Sequence, residues 1–203
     1  MRIERIILID VSGIPSEAIS AGQAPILARM AEVGSHLELL PPFPSASSTL
    51  HATLLTASPP RRHGIIADSY FGRGLMRPFA WPDSARLLTA PPAWQSRSNQ
   101  HVRIATVFWQ NTWGGSFDWI LTPPVPAAPW AGEAPQAGCL GHPSNLYDQV
   151  ERAAGPLRQS DWWGPTSGLQ TAAWTLDAVA YLFEHASPTI ILAYLPQADI
   201  EAR

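Results

Sequence analysis

The sequence predicts an α/β fold, a mostly parallel central sheet flanked by helices. Three observations lead there. Short apolar runs bounded by turn residues alternate with segments of helical periodicity. The first such run, "RIILID", ends in Asp10, and the last, "TIILAYLP", is followed closely by Asp199. At 203 residues the chain is long enough to bury a sizeable core, and one domain spanning 1–203 is the default.

Taken in order, Arg5 to Asp10 reads as a buried strand, because a short continuous apolar run before "VSGIPSEA" has no polar face. Ala24 to Gly34 spaces Ile26, Leu27, Met30 and Val33 as a helix stripe, with Gly34 as its stop. "HLELL" is short and strand-like. From Ser47, "STLHATLLTA" reads as a helix with Leu50 and Leu54 one turn apart, stopped by Pro59 and Pro60. "RIATVFW" (Arg103 to Trp109) and "DWILT" (Asp118 to Thr122) are further strands. "TPPVPAAPWAGEAP" is too rich in proline for either regular state, and marks a Pro/Trp-rich loop insertion around 110–145. Asn145 to Gly155 forms a helix with Asn145 as cap. Ser167 and Gln170 make a capping-box pattern before a longer helix, striped by Leu169, Ala173, Leu176, Ala180 and Phe183. Pro188 ends it and the final strand follows. No internal repeat is present.

Composition excludes several classes. A net charge of -3 without a basic cluster gives no surface for nucleic acid. The single cysteine, Cys139, rules out an intramolecular disulfide framework and a multi-cysteine zinc cage. No apolar run is long enough to cross a membrane. Met1 leads almost directly into the first strand with no signal-peptide pattern, so a cytoplasmic location is expected. The 21 prolines and nine tryptophans point to ordered, aromatic-packed loops.

The hydroxyl run Ser45, Ser47, Ser48 and Thr49 has three readings: a helix cap, a phosphate cradle, or a nucleophile at a helix N-terminus. Taken alone, Ser47 reads first as a helix cap and Asp10 as a strand-end turn former, but their positions are also compatible with chemistry. In open α/β sheets ligands bind outside the carboxyl ends of strands, where Asp10 and Asp199 are placed. A helix N-terminus beside two carboxylates suits a divalent metal and a phosphate together.

"ILIDVSG", "FPSASSTLHATLLTASPPRRHGI" and "YLPQAD" resemble the alkaline phosphatase superfamily, and within it the type I phosphodiesterase/nucleotide pyrophosphatase family. The resemblance runs from Ile6 to Asp199 and is most specific from Phe43 to Ile65. It implies an alkaline-phosphatase-like fold, with this chain as the N-terminal part of the catalytic domain. Ser47 is then the nucleophile and a metal ligand, Asp10 a ligand of the same ion, and Asp199 a ligand of a second. The implied cofactors are two divalent ions, Zn2+ by family habit, with Mn2+ also accommodated by carboxylates. The implied activity is hydrolysis of a small-molecule phosphodiester or nucleotide pyrophosphate through a phospho-serine. Asp10, Ser47 and Asp199 should converge at one sheet edge, the carboxylates within about 10 Å.

Three positions depart from the family pattern. Leu50 stands where many relatives have a phosphate-contacting Asn, and Ala57 where they often have Gly. Arg203 falls where several place a metal-binding His. A non-catalytic α/β module of the same family is therefore the alternative function, since zinc ordinarily takes three or four ligands. Asp10, Ser47 and His51 also raise a Ser-His-Asp hydrolase, but Ser47 lacks the G-x-S-x-G elbow and His51 reads better as a hydrogen-bonded structural residue. Arg61, Arg62 and His63 are expected in a solvated turn. Trp109, Trp113, Trp162 and Trp163 are expected to pack in the core and loops rather than stack on a base. "SASST" does not supply the x-P-x-R pattern of the sulfatase branch.

Overall fold

In the computed structural model, residues 4–72, 77–80, 83–96, 102–123, 139–157, 161–162 and 168–197 are described. In chain order they form β1 (Ile6–Val11), α1 (Ser16–Ser20), α2 (Pro25–Val33), α3 (Ser47–Thr56) and α4 (Pro60–His63). Then come β2 (Ser69–Gly72), β3 (Arg77–Ala80), β4 (Ile104–Val107), β5 (Trp119–Leu121) and β6 (Gly141–His142). The last are α5 (Leu146–Ala154), α6 (Leu169–Tyr181) and β7 (Ile190–Leu195). Five strands make one sheet in the order β1-β7-β4-β5-β6. Its pairs are parallel except β5 with β6, while β2 and β3 form a separate antiparallel pair.

The sheet order explains the apolar runs. β7 and β4 lie between other strands, so "IILAYL" and "IATV" have neighbours on both edges and are almost wholly buried. α5 and α6 pack on each other and on β4, β5 and β7. The core gathers Leu55, Phe108, Trp109, Trp162, Trp174, Val179 and Leu182 around these strands. Each such side chain contributes about 1.5–3 kcal/mol by leaving water.

Several expectations need correction. β1 is not a buried strand: Ile6, Ile7, Leu8 and Ile9 are 37–45% exposed. It sits at the sheet edge, bonded to β7 on one side and, among the described residues, unpaired on the other. "HLELL" forms no strand and its leucines face solvent. α2 is a helix as expected, but Ile26, Met30 and Val33 face outward.

In α3 the buried face is Ser48, Thr49, His51, Ala52, Leu55 and Thr56, whereas Leu54 is exposed and Leu50 half-buried. In α6 the expected stripe also lies outside. The helix buries Thr171, Trp174, Thr175, Ala178 and Val179, leaving Leu169 and Leu176 in solvent. Threonines can face the core because their hydroxyls are satisfied locally: Thr175 Oγ1 donates to the Thr171 carbonyl at 2.8 Å. Trp174 Nε1 likewise donates to the Gly155 carbonyl at 2.7 Å. Gly168 takes the N-cap position of α6; the capping-box Ser167 lies outside the described residues, as does most of the proline-rich loop.

Two helix ends position the site. α3 stops at Ala57, which adopts the left-handed conformation (φ 49°), and Pro59 and Pro60 then open α4 rather than a bare turn. Arg61 and Arg62 are exposed, but His63 is fully buried. Its Nδ1 accepts from the Ile65 amide at 3.1 Å and its Nε2 lies 3.0 Å from Thr53 Oγ1 on α3. At the far end of the sheet, Arg5 donates to the Phe183 carbonyl at 2.9 Å and Arg103 to the Ser187 carbonyl at 2.6 Å. Those arginines satisfy carbonyls where the helix runs out, and so tie α6 to the starts of β1 and β4.

Candidate active site

The carboxyl ends of β1 and β7 lie side by side, with Asp10 directly opposite Tyr194. The first residue of α3, Ser47, meets this edge: its Oγ is 3.0 Å from the Tyr194 hydroxyl. Burial holds the Tyr194 phenol above its ordinary pKa, against the hydrogen bonds from Ser47 and Ser12, so it stays protonated beside the serine. Ser48 and Thr49 instead turn inward and are fully buried. Of the hydroxyl run in this turn, Ser47 is the residue left half-buried at the strand ends.

His51, one turn along α3, joins Asp10 to the protein interior. Its Nε2 is 2.9 Å from Asp10 Oδ2, and Nδ1 accepts from the Gln110 amide at 3.2 Å. Since Nδ1 is an acceptor, Nε2 carries the proton and donates to Asp10. The ring stacks on Trp109 at 4.1 Å between centroids and meets the edge of Tyr194 at 4.6 Å. Burial lowers the His51 pKa, outweighing the hydrogen bond and charge of Asp10 and the charge of Asp68. His51 is thus a neutral support for Asp10, and the expected structural role fits this geometry better than a base for Ser47. The Asp10 side chain keeps 17% of its surface exposed, enough to meet a ligand.

The loop after β4 completes the surroundings of α3. Phe108 and Asn111 both take positive φ, 60° and 61°, which turns the buried Gln110 and Asn111 onto the helix. Ser48 Oγ donates to Gln110 Oε1, and Asn111 Nδ2 donates to the Ser48 carbonyl at 3.2 Å. From the loop beyond α4, Asp68 Oδ1 accepts the Ser48 backbone N–H at 2.7 Å. Four residues at this site escaped the sequence reading: Tyr194, Gln110, Asn111 and Asp68. Tyr194 opens "YLPQAD" but was read there only as part of the motif, and Asp68 lies three residues beyond the end of "HGI".

Asp199 lies outside the described residues, so the convergence of Asp10 and Ser47 is described without it. Among the described residues no group of three or more His, Cys, Asp or Glu side chains is arranged to hold a metal ion. Trp109 and Trp162 pack in the core as expected, the latter 4.4 Å from Phe108 between ring centroids, and Trp113 packs partly buried against the core. Trp163 is outside the described residues. No helix among them is long and apolar enough to cross a membrane.

Residues 6–202 match the family type I phosphodiesterase / nucleotide pyrophosphatase. The chain belongs to that family. An uncharacterized pyrophosphatase/phosphodiesterase of Schizosaccharomyces pombe is 28% identical over 111 residues, 51% of this chain and 23% of that protein. Phosphonoacetate hydrolase of Sinorhizobium meliloti, solved with phosphonoacetate, superposes with a TM-score of 0.59 at 19% identity, over 98% of this chain and 47% of its own. Murine ectonucleotide pyrophosphatase / phosphodiesterase 5, solved as an inactive variant with AMP, gives a TM-score of 0.56 at 14% identity, over 98% and 45%. Both share this chain's fold, a mostly parallel sheet with helices of the alkaline-phosphatase-like kind. The chain spans less than half the length of each of these relatives.

Proposed function

We propose that the chain carries the nucleophile of a metal-dependent hydrolase of phosphodiester or nucleotide pyrophosphate bonds, working through a phospho-serine at Ser47. The observation that supports it is the pairing of Ser47 with Tyr194 at the strand ends where Asp10 emerges. A small nucleotide ligand is in keeping with the AMP held by the murine neighbour.

Ser47 Oγ loses its proton to solvent and attacks phosphorus; the Oγ–P bond forms as the bond from phosphorus to the leaving oxygen breaks, and that oxygen departs with its electron pair. Water then attacks the same phosphorus, the Oγ–P bond breaks, and the serine oxygen takes back a proton. Tyr194 orients the serine but takes no proton, because its own phenol stays protonated. His51 has both nitrogens committed and fixes one oxygen of Asp10; the other has no hydrogen bond among the described residues and would be available to a cation. The N-terminal dipole of α3 favours negative charge at Ser47.

The donor chemistry here, an anionic carboxylate oxygen beside a serine hydroxyl, fits a divalent ion. Asp10 and Ser47 would hold one, and Asp199 would help hold another, with Zn2+ or Mn2+ as the metals. Such ions would lower the pKa of the nucleophile and stabilise charge on the phosphoryl oxygens. We read residues 1–203 as the N-terminal portion of one alkaline-phosphatase-like domain with its loop insertion around 110–145. The exposed apolar edge of β1 supports a sheet that continues in further polypeptide. The second reading, a non-catalytic module, is favoured by the incomplete metal shell among the described residues.

Hydrolysis of bis-p-nitrophenyl phosphate with zinc or manganese separates the two. The 203-residue chain alone should turn over slowly or not at all. A form extended to the length of its relatives should be EDTA-sensitive and active, and Ser47→Ala in that form should abolish turnover. Undiminished activity of Ser47→Ala would remove Ser47 as nucleophile.

A further inference from the structure

We propose that His63 is an acid-sensitive latch: its neutral ring fastens the turn after α4 onto the middle of α3, and its protonation releases that turn. The ring is fully buried and both of its nitrogens are used. Nδ1 accepts from the Ile65 amide at 3.1 Å, so it carries no proton. On α3 the Thr53 hydroxyl donates to the Thr49 carbonyl at 2.8 Å, which leaves its lone pairs to accept from Nε2–H at 3.0 Å. Together the two bonds select one neutral tautomer. Gly64, at φ 82°, makes the reversal that brings the Ile65 amide back to the ring.

The latch holds the return path of the chain beside α3. That path is tied to the helix twice: Asp68 Oδ1 takes the Ser48 amide at 2.7 Å in the first turn, and His63 takes Thr53 further along. Thr89 donates its amide to the His63 carbonyl at 3.0 Å and its hydroxyl to the Arg62 carbonyl at 2.6 Å. Those bonds hold the backbone of α4, not the ring. A proton on Nδ1 would set one N–H against another at Ile65 and put a cation in a buried site. Among the described residues no charged side chain compensates it. α3 brings Thr49 and Thr53 to this contact and the segment before Ala90 brings Thr89, all uncharged. Arg61, Arg62 and Arg86 are exposed, Asp68 is turned to the Ser48 amide, and His51 is turned to Asp10. Burial alone lowers the His63 pKa. The released turn takes up a proton at the ordinary histidine pKa and the fastened one resists it. The latch is therefore closed above about pH 6.5 and loosens as the pH falls below that value. It works through the shape of this segment and is independent of the chemistry at Ser47.

Hydrogen exchange at the Ile65 amide tests it, read by NMR on the 203-residue chain and corrected for intrinsic rates. Between about pH 7.5 and about pH 5, protection at Ile65 should fall at least about fivefold more than at Ala105 in β4, which reports global opening. His63→Asn keeps an oxygen for the Ile65 amide but takes no proton, and should abolish that extra loss. The wild-type ring gives a second reading that needs no variant to fold. Its 15N shifts should show Nε2 protonated and Nδ1 bare at about pH 7.5, with the charged form growing in as Ile65 loses protection. A proton on Nδ1 at that pH, a fall at Ile65 no larger than at Ala105, or an extra fall that survives His63→Asn would each overturn the latch.

Discussion

His51 decides what kind of serine chemistry this edge can do. Sequence alone left Asp10, Ser47 and His51 open to a hydrolytic triad, since one helical turn separates the serine from the histidine. The structure gives Asp10 to His51, but hands Ser47 to Tyr194 and fills the other histidine nitrogen with the Gln110 amide. Ser47 and Asp10 were legible because a hydroxyl before a helix and a carboxylate after a strand are local signals. Tyr194, Gln110 and Asp68 were not, because their roles come from contacts between residues 20 to 147 positions apart. Replacing His51 with Ala should cost about 2–4 kcal/mol of stability in a urea titration, because it empties a stacked, fully buried position and orphans the bond to Asp10. Where the variant is folded, zinc affinity should fall about 10-fold or more through the loosened carboxylate. Full stability with unchanged zinc affinity would mean that His51 supports neither.

At the scale of elements, helix existence was easy to read and helix phase was not. α2, α3, α5 and α6 occur within a few residues of their expected bounds. The buried faces of α3 and α6 were misjudged because they carry Ser, Thr and His whose polar groups bond within the fold, while leucines on the other face meet solvent. Periodicity counts apolar residues and is blind to a satisfied threonine. The end of α3 teaches the converse: the departure from the family's glycine at Ala57 falls on a left-handed residue, φ 49°. A Cβ there costs about 1 kcal/mol relative to glycine. Ala57→Gly should therefore raise the urea midpoint, equivalent to a gain of about 0.5–1 kcal/mol. A loss of stability would show that the αL end of α3 is not strained.

For the molecule as a whole, the strand-to-helix alternation foretold an α/β sheet, and the rule that ligands lie at strand C-termini foretold the edge that holds Asp10 and Ser47. It could not foretell that the last strand inserts between the first and β4, which is what sets Tyr194 against Asp10. Nor could it foretell an apolar β1 left at the rim, since a sequence records what a strand is made of and not what flanks it. The central proposal is that the β1–β7 edge with Ser47 is a metal-assisted phosphoryl site. Calorimetric titration of zinc into the 203-residue chain and its Asp10→Asn variant tests it most directly. Weak but saturable binding by the wild-type chain, lost in Asp10→Asn, is the expected result. Binding that survives the substitution, or no binding by either protein, would contradict it.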